Sequence, residues 1–85
     1  MNAYAVDKAP FEKFYADNSV SLPLWAQLRL TQKVKAICAL PDPLASGGKS
    51  PLTGKWHYPV SKFHIVAELD DAARVVRLLR FLSLS

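Results

Sequence analysis

Eighty-five residues, 51% hydrophobic and 21% charged, make one small folded domain and exclude a disordered chain. Eleven basic against seven acidic residues leave a net charge of +4, which suits a nucleic acid or an acidic protein as partner. No apolar run reaches the ~20 residues that span a bilayer, no basic cluster with an apolar stretch opens the chain, and the single cysteine, Cys38, cannot close an intrachain disulfide; a cytoplasmic protein with no membrane contact is the default expectation.

The charge is unevenly spread. No acid occurs from Asn18 to Pro41, where Arg29, Lys33 and Lys35 stand, or from Pro43 to Ala67, where Lys49, Lys55 and Lys62 stand. The acids gather near the start of the chain and at Glu68, Asp70 and Asp71.

Asn2 to Val6 reads as a short first strand. Pro10 suits the first turn of a helix, where its missing N–H is not needed. Phe11, Phe14 and Tyr15 then make one apolar helical face, so a helix is expected from Pro10 to about Asp17. Asp17-Asn18-Ser19 ends it. Ser21 is the expected cap of a second helix, with Pro23 in its first turn. Ala26, Leu30, Val34, Ile37 and Cys38 share one face at helical spacing, which makes Cys38 a buried small hydrophobe. Leu28, Leu30, Val34 and Ala36 also alternate as a strand would, but the length of the run and its lack of breakers favour helix. Arg29, Lys33 and Lys35 read as a solvated face.

Pro41-Asp42-Pro43 stops that helix, because a residue before proline is pushed out of helical geometry. A flexible Gly/Ser/Pro loop is expected up to Gly54. Its Gly48-Lys49-Ser50 is not a phosphate-binding loop: Pro43 stands where the motif needs its first glycine, and Pro51 blocks the helix that must follow.

Lys55 to Val60 is extended, with Pro59 marking an edge or an end. Ser61-Lys62 turns the chain. From Lys62 to Leu69, Phe63, Ile65, Ala67 and Leu69 alternate with Lys62, His64, Val66 and Glu68, the clearest strand of the sequence. The last segment fits two structures. As a helix it is capped by Asp70, with Ala72, Val75, Val76, Leu79 and Leu82 on one face and Arg74, Arg77 and Arg80 along its edge. As a strand it turns at Asp70-Asp71-Ala72 and runs on, covered on both faces. Periodicity slightly favours the helix.

Two chemical features stand out. Lys55 and His57 are two residues apart, so in a strand they share a face. Histidine is the side chain best suited to proton transfer near neutral pH, and both histidines, His57 and His64, fall here. No Cys, Asp or Glu stands beside them to complete a metal site, so none is expected. Trp56 reads as a core or edge aromatic, with stacking on an RNA base as its functional alternative.

This order of elements, with Leu52-Thr53-Gly54, the basic strand Lys55 to Val60, the strand Phe63-His64-Ile65-Val66-Ala67-Glu68-Leu69-Asp70 and the apolar run Arg74 to Leu82, resembles the RelE/ParE superfamily of bacterial toxins. The resemblance implies an α+β fold over residues 1–85, with an N-terminal helical hairpin packed on a small antiparallel sheet and a final strand rather than a helix. It further implies the toxin of a type II toxin–antitoxin pair, an endoribonuclease cleaving mRNA at the ribosome without a cofactor. Lys55, His57 and His64 would then be the catalytic cluster, and Lys49, Trp56, Lys62, Arg74, Arg77 and Arg80 would contact nucleic acid or a partner. The partners implied are a cognate antitoxin, in a hetero-oligomer, and the ribosome with its mRNA, or DNA gyrase. The sequence departs from the pattern at its end. It reads FLSLS where active members carry Arg, His or Tyr, and Arg80 can contribute only if the strand register shifts. Two other functions follow from that departure and from the charge: a non-enzymatic binder, such as a gyrase-directed toxin or a small phage or plasmid inhibitor of a host protein, and a plain nucleic-acid-binding module.

Overall fold

The computed structural model describes residues 4–51 and 53–83. Its first strand, β1 (Ala5–Asp7), hands over directly to helix α1 (Ala9–Asn18). Lys8 at the cap gives no side-chain hydrogen bond, and Asp7 does that work from one residue earlier, its carboxylate accepting from the Ala9 N–H at 3.1 Å. The expected strand over Asn2 to Val6 lies one to three residues late, with Asn2 and Ala3 outside the described residues.

Helix α2 (Leu24–Ala39) follows a single 3₁₀ turn, Ser19–Ser21. Ser21 does not cap it. Leu22 is extended, as the residue before a proline prefers, and this pushes the helix start on to Pro23, which occupies the cap position itself. Gln27 then holds the hairpin connection, its amide donating to the carbonyls of Ser19 (3.2 Å) and Leu22 (3.0 Å).

After a 3₁₀ turn at Pro43–Ala45 come β2 (Gly48–Lys49), β3 (Trp56–Val60), β4 (Phe63–Asp70) and β5 (Val75–Ser83). The loop expected to be irregular thus contributes a two-residue strand, and residues 75–83 form a strand, not a helix. Strand wins because β5 sits between β1 and β4 in the sheet order β1-β5-β4-β3-β2, where both its edges are paired and Val76, Leu78 and Phe81 are buried on the helix-covered face, while Leu82 on the other face stays exposed and the expected cover on both faces is absent. Strands β2 to β5 are antiparallel, but β1 runs parallel to β5, with Ala5 opposite Val75 and Asp7 opposite Arg77. The sheet is therefore mixed, where a purely antiparallel one was expected.

Both helices cover one face of this sheet. Alternation sends Tyr58, Val60, Phe63, Ile65, Ala67, Val76, Leu78 and Phe81 inward, to meet Phe11 of α1 and Ala26, Leu30, Val34 and Ile37 of α2. Phe81 is the hub of an aromatic cluster with Phe11, Phe14, Tyr15 and Phe63, ring centroids 5.1–6.3 Å apart. Full burial of each large apolar side chain is worth ~1.5–3 kcal/mol. Cys38, expected to be buried, is exposed. At 100° per residue it lies some way round α2 from the Ala26–Leu30–Ile37 seam, near the helix end. No helix among the described residues is long and apolar enough to cross a membrane.

Candidate functional site

The face of the sheet turned away from the helices carries the chemistry. Strand alternation sends His57, His64, Glu68 and Arg77 to it. His57 faces Val66 across the β3–β4 ladder and His64 faces Pro59, so the two histidines are diagonal neighbours. Their Nδ1 atoms approach to 3.2 Å, with the rings nearly perpendicular at 79°.

A β-bulge adds Arg80 to this face. Ala67 pairs with Leu78, but Val66 pairs with Arg80, so Leu79 is an extra residue in β5. Without it, Arg80 would sit opposite Ile65 and point into the core. The register shift on which a role for Arg80 depends is thus present. His57, Val66 and Arg80 lie in one row across three strands, placing His57 and Arg80 roughly 10 Å apart at their backbones, with His64 in the next row. Among the described residues Arg80 forms no ion pair.

The Lys55 side chain does not join the histidines. It lies just before β3, and its Nζ sits 3.7 Å from Glu68. Arg77 is likewise engaged: its guanidinium reaches Glu68 at 3.2 Å, Asp7 at 3.6 Å and Asp70 at 3.6 Å, tying β1, β4 and β5 together. The two ends of this face therefore differ in charge. One is an internally neutralised network. The other, at His57 and His64, opens on a groove whose described lining residues include no acid.

The rest of the expected set is dispersed. Arg74 lies in the β4–β5 turn at φ +56°, with its guanidinium over the Tyr4 ring at 5.5 Å. Tyr4 also donates to Asp71, which pushes its phenol pKa up. Lys62 is exposed in the Ser61-Lys62 turn. Trp56 is half-buried, donating its indole N–H to the Ser46 carbonyl at 2.9 Å, so it acts as an edge aromatic that anchors the loop. Lys49, on β2, lines an open groove of about 500 Å³ together with Gly47, Gly48, Ser50, Pro51, Pro59 and both histidines. The groove depends on Gly47: its φ of +75° favours glycine, and a Cβ there would lie 2.4 Å from the His57 carbonyl oxygen.

Two contributors were not foreseen from sequence. The Thr53 hydroxyl lies 3.2 Å from His57 Nε2 and also accepts from the Lys55 N–H at 3.2 Å. The Gly47–Pro51 loop forms the groove wall. Neither carries a sequence signal beyond turn-forming composition. Leu52, the first residue of the Leu-Thr-Gly element, lies outside the described residues, as does Ser85 of the terminal FLSLS.

Desolvation within the sheet, and then the nearby charge of His64, hold the His57 imidazole below its usual pKa, so it is largely neutral at pH 7. Two proton arrangements satisfy its contacts. Either His57 gives its Nε2–H to Thr53 and accepts from His64 Nδ1–H, or Thr53 donates to Nε2 and His57 gives Nδ1–H to His64. Both keep one imidazole as donor and the other as acceptor, an arrangement able to pass a proton. The described residues hold no group of three His, Cys, Asp or Glu side chains able to enclose a metal ion. No known family model matches the chain, and its sequence matches no curated protein.

Proposed function

We propose that this protein is the toxin of a type II toxin–antitoxin pair and cleaves mRNA at the ribosome. The observation that carries the reading is the grouping of His57, His64 and Arg80 on the helix-free face, beside an open groove. Cleavage of an RNA strand by its own 2′-hydroxyl needs a base for that hydroxyl, a cation for the charged phosphorane, and an acid for the 5′ oxygen. His57, held neutral, takes the 2′-hydroxyl proton. Arg80 stabilises the phosphorane, with Lys49 supplying charge from the groove wall. His64 delivers a proton to the leaving 5′ oxygen as the P–O5′ bond breaks, leaving a 2′,3′-cyclic phosphate and a 5′-hydroxyl. Lys55, paired with Glu68, is assigned no catalytic part.

The test is induction in bacteria with mapping of mRNA 5′ ends. Growth arrest with new cleavage at fixed codon positions is expected, and it is lost in a His57→Ala/His64→Ala/Arg80→Ala variant. Arrest without codon-phased cleavage, or undiminished toxicity of the triple variant, overturns the reading.

One observation favours a non-enzymatic binder instead. Val20, Leu24, Trp25 and Leu28 are exposed around the start of α2, an apolar surface of the kind protein partners cover. A gyrase-directed toxin or an inhibitor of a host protein would use it, as would an antitoxin. Pull-down at low and high salt separates these readings: RNA-driven capture weakens steeply with salt, while an apolar interface persists.

A further inference from the structure

We propose that His57 and His64 form a two-imidazole site for a late first-row divalent ion, Zn²⁺, Ni²⁺ or Cu²⁺, bound through both Nδ1 atoms in the groove beside β2. The argument begins with their separation. An ion ~2.1 Å from each imidazole nitrogen would subtend the 3.2 Å between them at roughly 100°. That lies between the ~90° of neighbouring ligands in a square-planar or octahedral site and the ~109° of a tetrahedral one. Diagonal positions on adjacent strands keep the two side chains within reach of one another, so binding needs rotation of the rings rather than refolding.

The surroundings fit the same use. His57 Nε2 stands 3.2 Å from the Thr53 hydroxyl, so it can give away its Nε2–H and leave Nδ1 with a free lone pair. A ligating histidine is ordinarily oriented by this kind of outer hydrogen bond. The groove of about 500 Å³ has room for an ion with its remaining positions filled by water. Among the described residues, Lys49 is the only charged one lining that groove and none lends it a carboxylate, a lining that favours ions preferring imidazole over oxygen-preferring Mg²⁺ and Ca²⁺. Ligation displaces the proton shared between the two rings. The site does not depend on the ribonuclease reading, since binding is read without any activity.

The test is calorimetric titration of the full chain, in a Cys38→Ser background that removes the exposed thiol, with NiCl₂, ZnCl₂ and MgCl₂. Nickel and zinc are expected to bind one per chain and magnesium not at all. His57→Gln and His64→Gln each weaken nickel binding by roughly tenfold or more, since losing a ligand costs at least what losing an outer hydrogen-bond partner does. Nitrogen-15 spectra of the imidazoles, recorded on the parent protein with zinc, need no histidine variant and are expected to show both Nδ1 atoms as ligands. Nickel affinity unchanged in the glutamine variants, or metal-linked shifts at the Nε2 atoms, overturns the proposal.

Discussion

Tyr58 gives the sharpest test of the energetics. Its side chain is fully buried under the helices, and its hydroxyl donates to the Pro43 carbonyl at 2.8 Å. Tyr58→Phe keeps the ring and strands that carbonyl. The expected cost at neutral pH is about 1.5 kcal/mol, or a fall in Tm of roughly 6–12 °C for a domain of this size. The same burial, reinforced by the nearby Asp42 charge, pushes the phenol pKa up to about 12 from its ordinary 10. A raised folded-state pKa means that the stabilisation is complete below pH 10. It is lost as pH climbs towards 12, where the unfolded chain has ionised and the folded one has not. Two pKa units correspond to about 2.7 kcal/mol. The Phe variant has no such group, so the two stability curves cross: the parent is more stable up to about pH 10, and the variant matches or exceeds it near pH 12. Urea unfolding at fixed pH values from 7 to 12 measures both, and ionisation of the other tyrosines and of the lysines cancels in the difference. A gap that stays constant across the alkaline range refutes the claim that Tyr58 is held neutral by burial.

Three further outcomes are expected. Arg77→Met removes the common partner of Asp7, Glu68 and Asp70; because the arginine side chain remains 31% exposed, the loss is screened to about 1 kcal/mol and shrinks at high salt, as urea midpoints at two NaCl concentrations will show. Gly47→Ala and Gly54→Ala both place a side chain at positive φ, but only the first meets backbone, so the first costs about 1–3 kcal/mol more than the second and shifts the His57 resonances, while equal effects contradict the tight approach of β2 to β3. Deleting Leu79 takes out the extra residue of β5 and returns no side chain to the opposite face; the variant folds, at a cost within ~2 kcal/mol, and amide spectra still pair Val66 with Arg80.

Much of the architecture was legible in the residues. The alternation of Phe63, Ile65 and Ala67 with His64 and Glu68 located β4 and the outward histidine, and the spacing of Phe11, Phe14 and Tyr15 located α1. The last strand was not legible from its own pattern. Arg74, Arg77 and Arg80 recur every three residues, a helical spacing, and only the position of β5 between two other strands makes Val76, Leu78 and Phe81 inward-facing. Their alternation breaks at Leu79, and a bulge depends on two strands at once, so no single-strand reading can find it. The pairing of Lys55 with Glu68 was hidden for the same reason: two residues of spacing place Lys55 on the face of His57, but the neighbouring strand decides which charge it meets. Cys38 failed differently, since a helical face drawn too wide took in a position that the sheet does not reach.

The pairing of β1 with β5 puts a clock on the molecule. Ala5 donates its N–H to the Arg74 carbonyl, and its strand aligns with Val75 to Arg77, so the earliest described strand can be placed only when the last has been made. At a synthesis rate of ~5–20 residues per second, the roughly 80 residues from the start of β1 to the end of β5 take roughly 4 to 16 seconds to add. Arg80 and the strand that backs His64 arrive together, after both histidines. A chain lacking β5 therefore has both histidines but neither Arg80 nor the strand that supports them, and whatever this face does begins only once β5 has paired with β4.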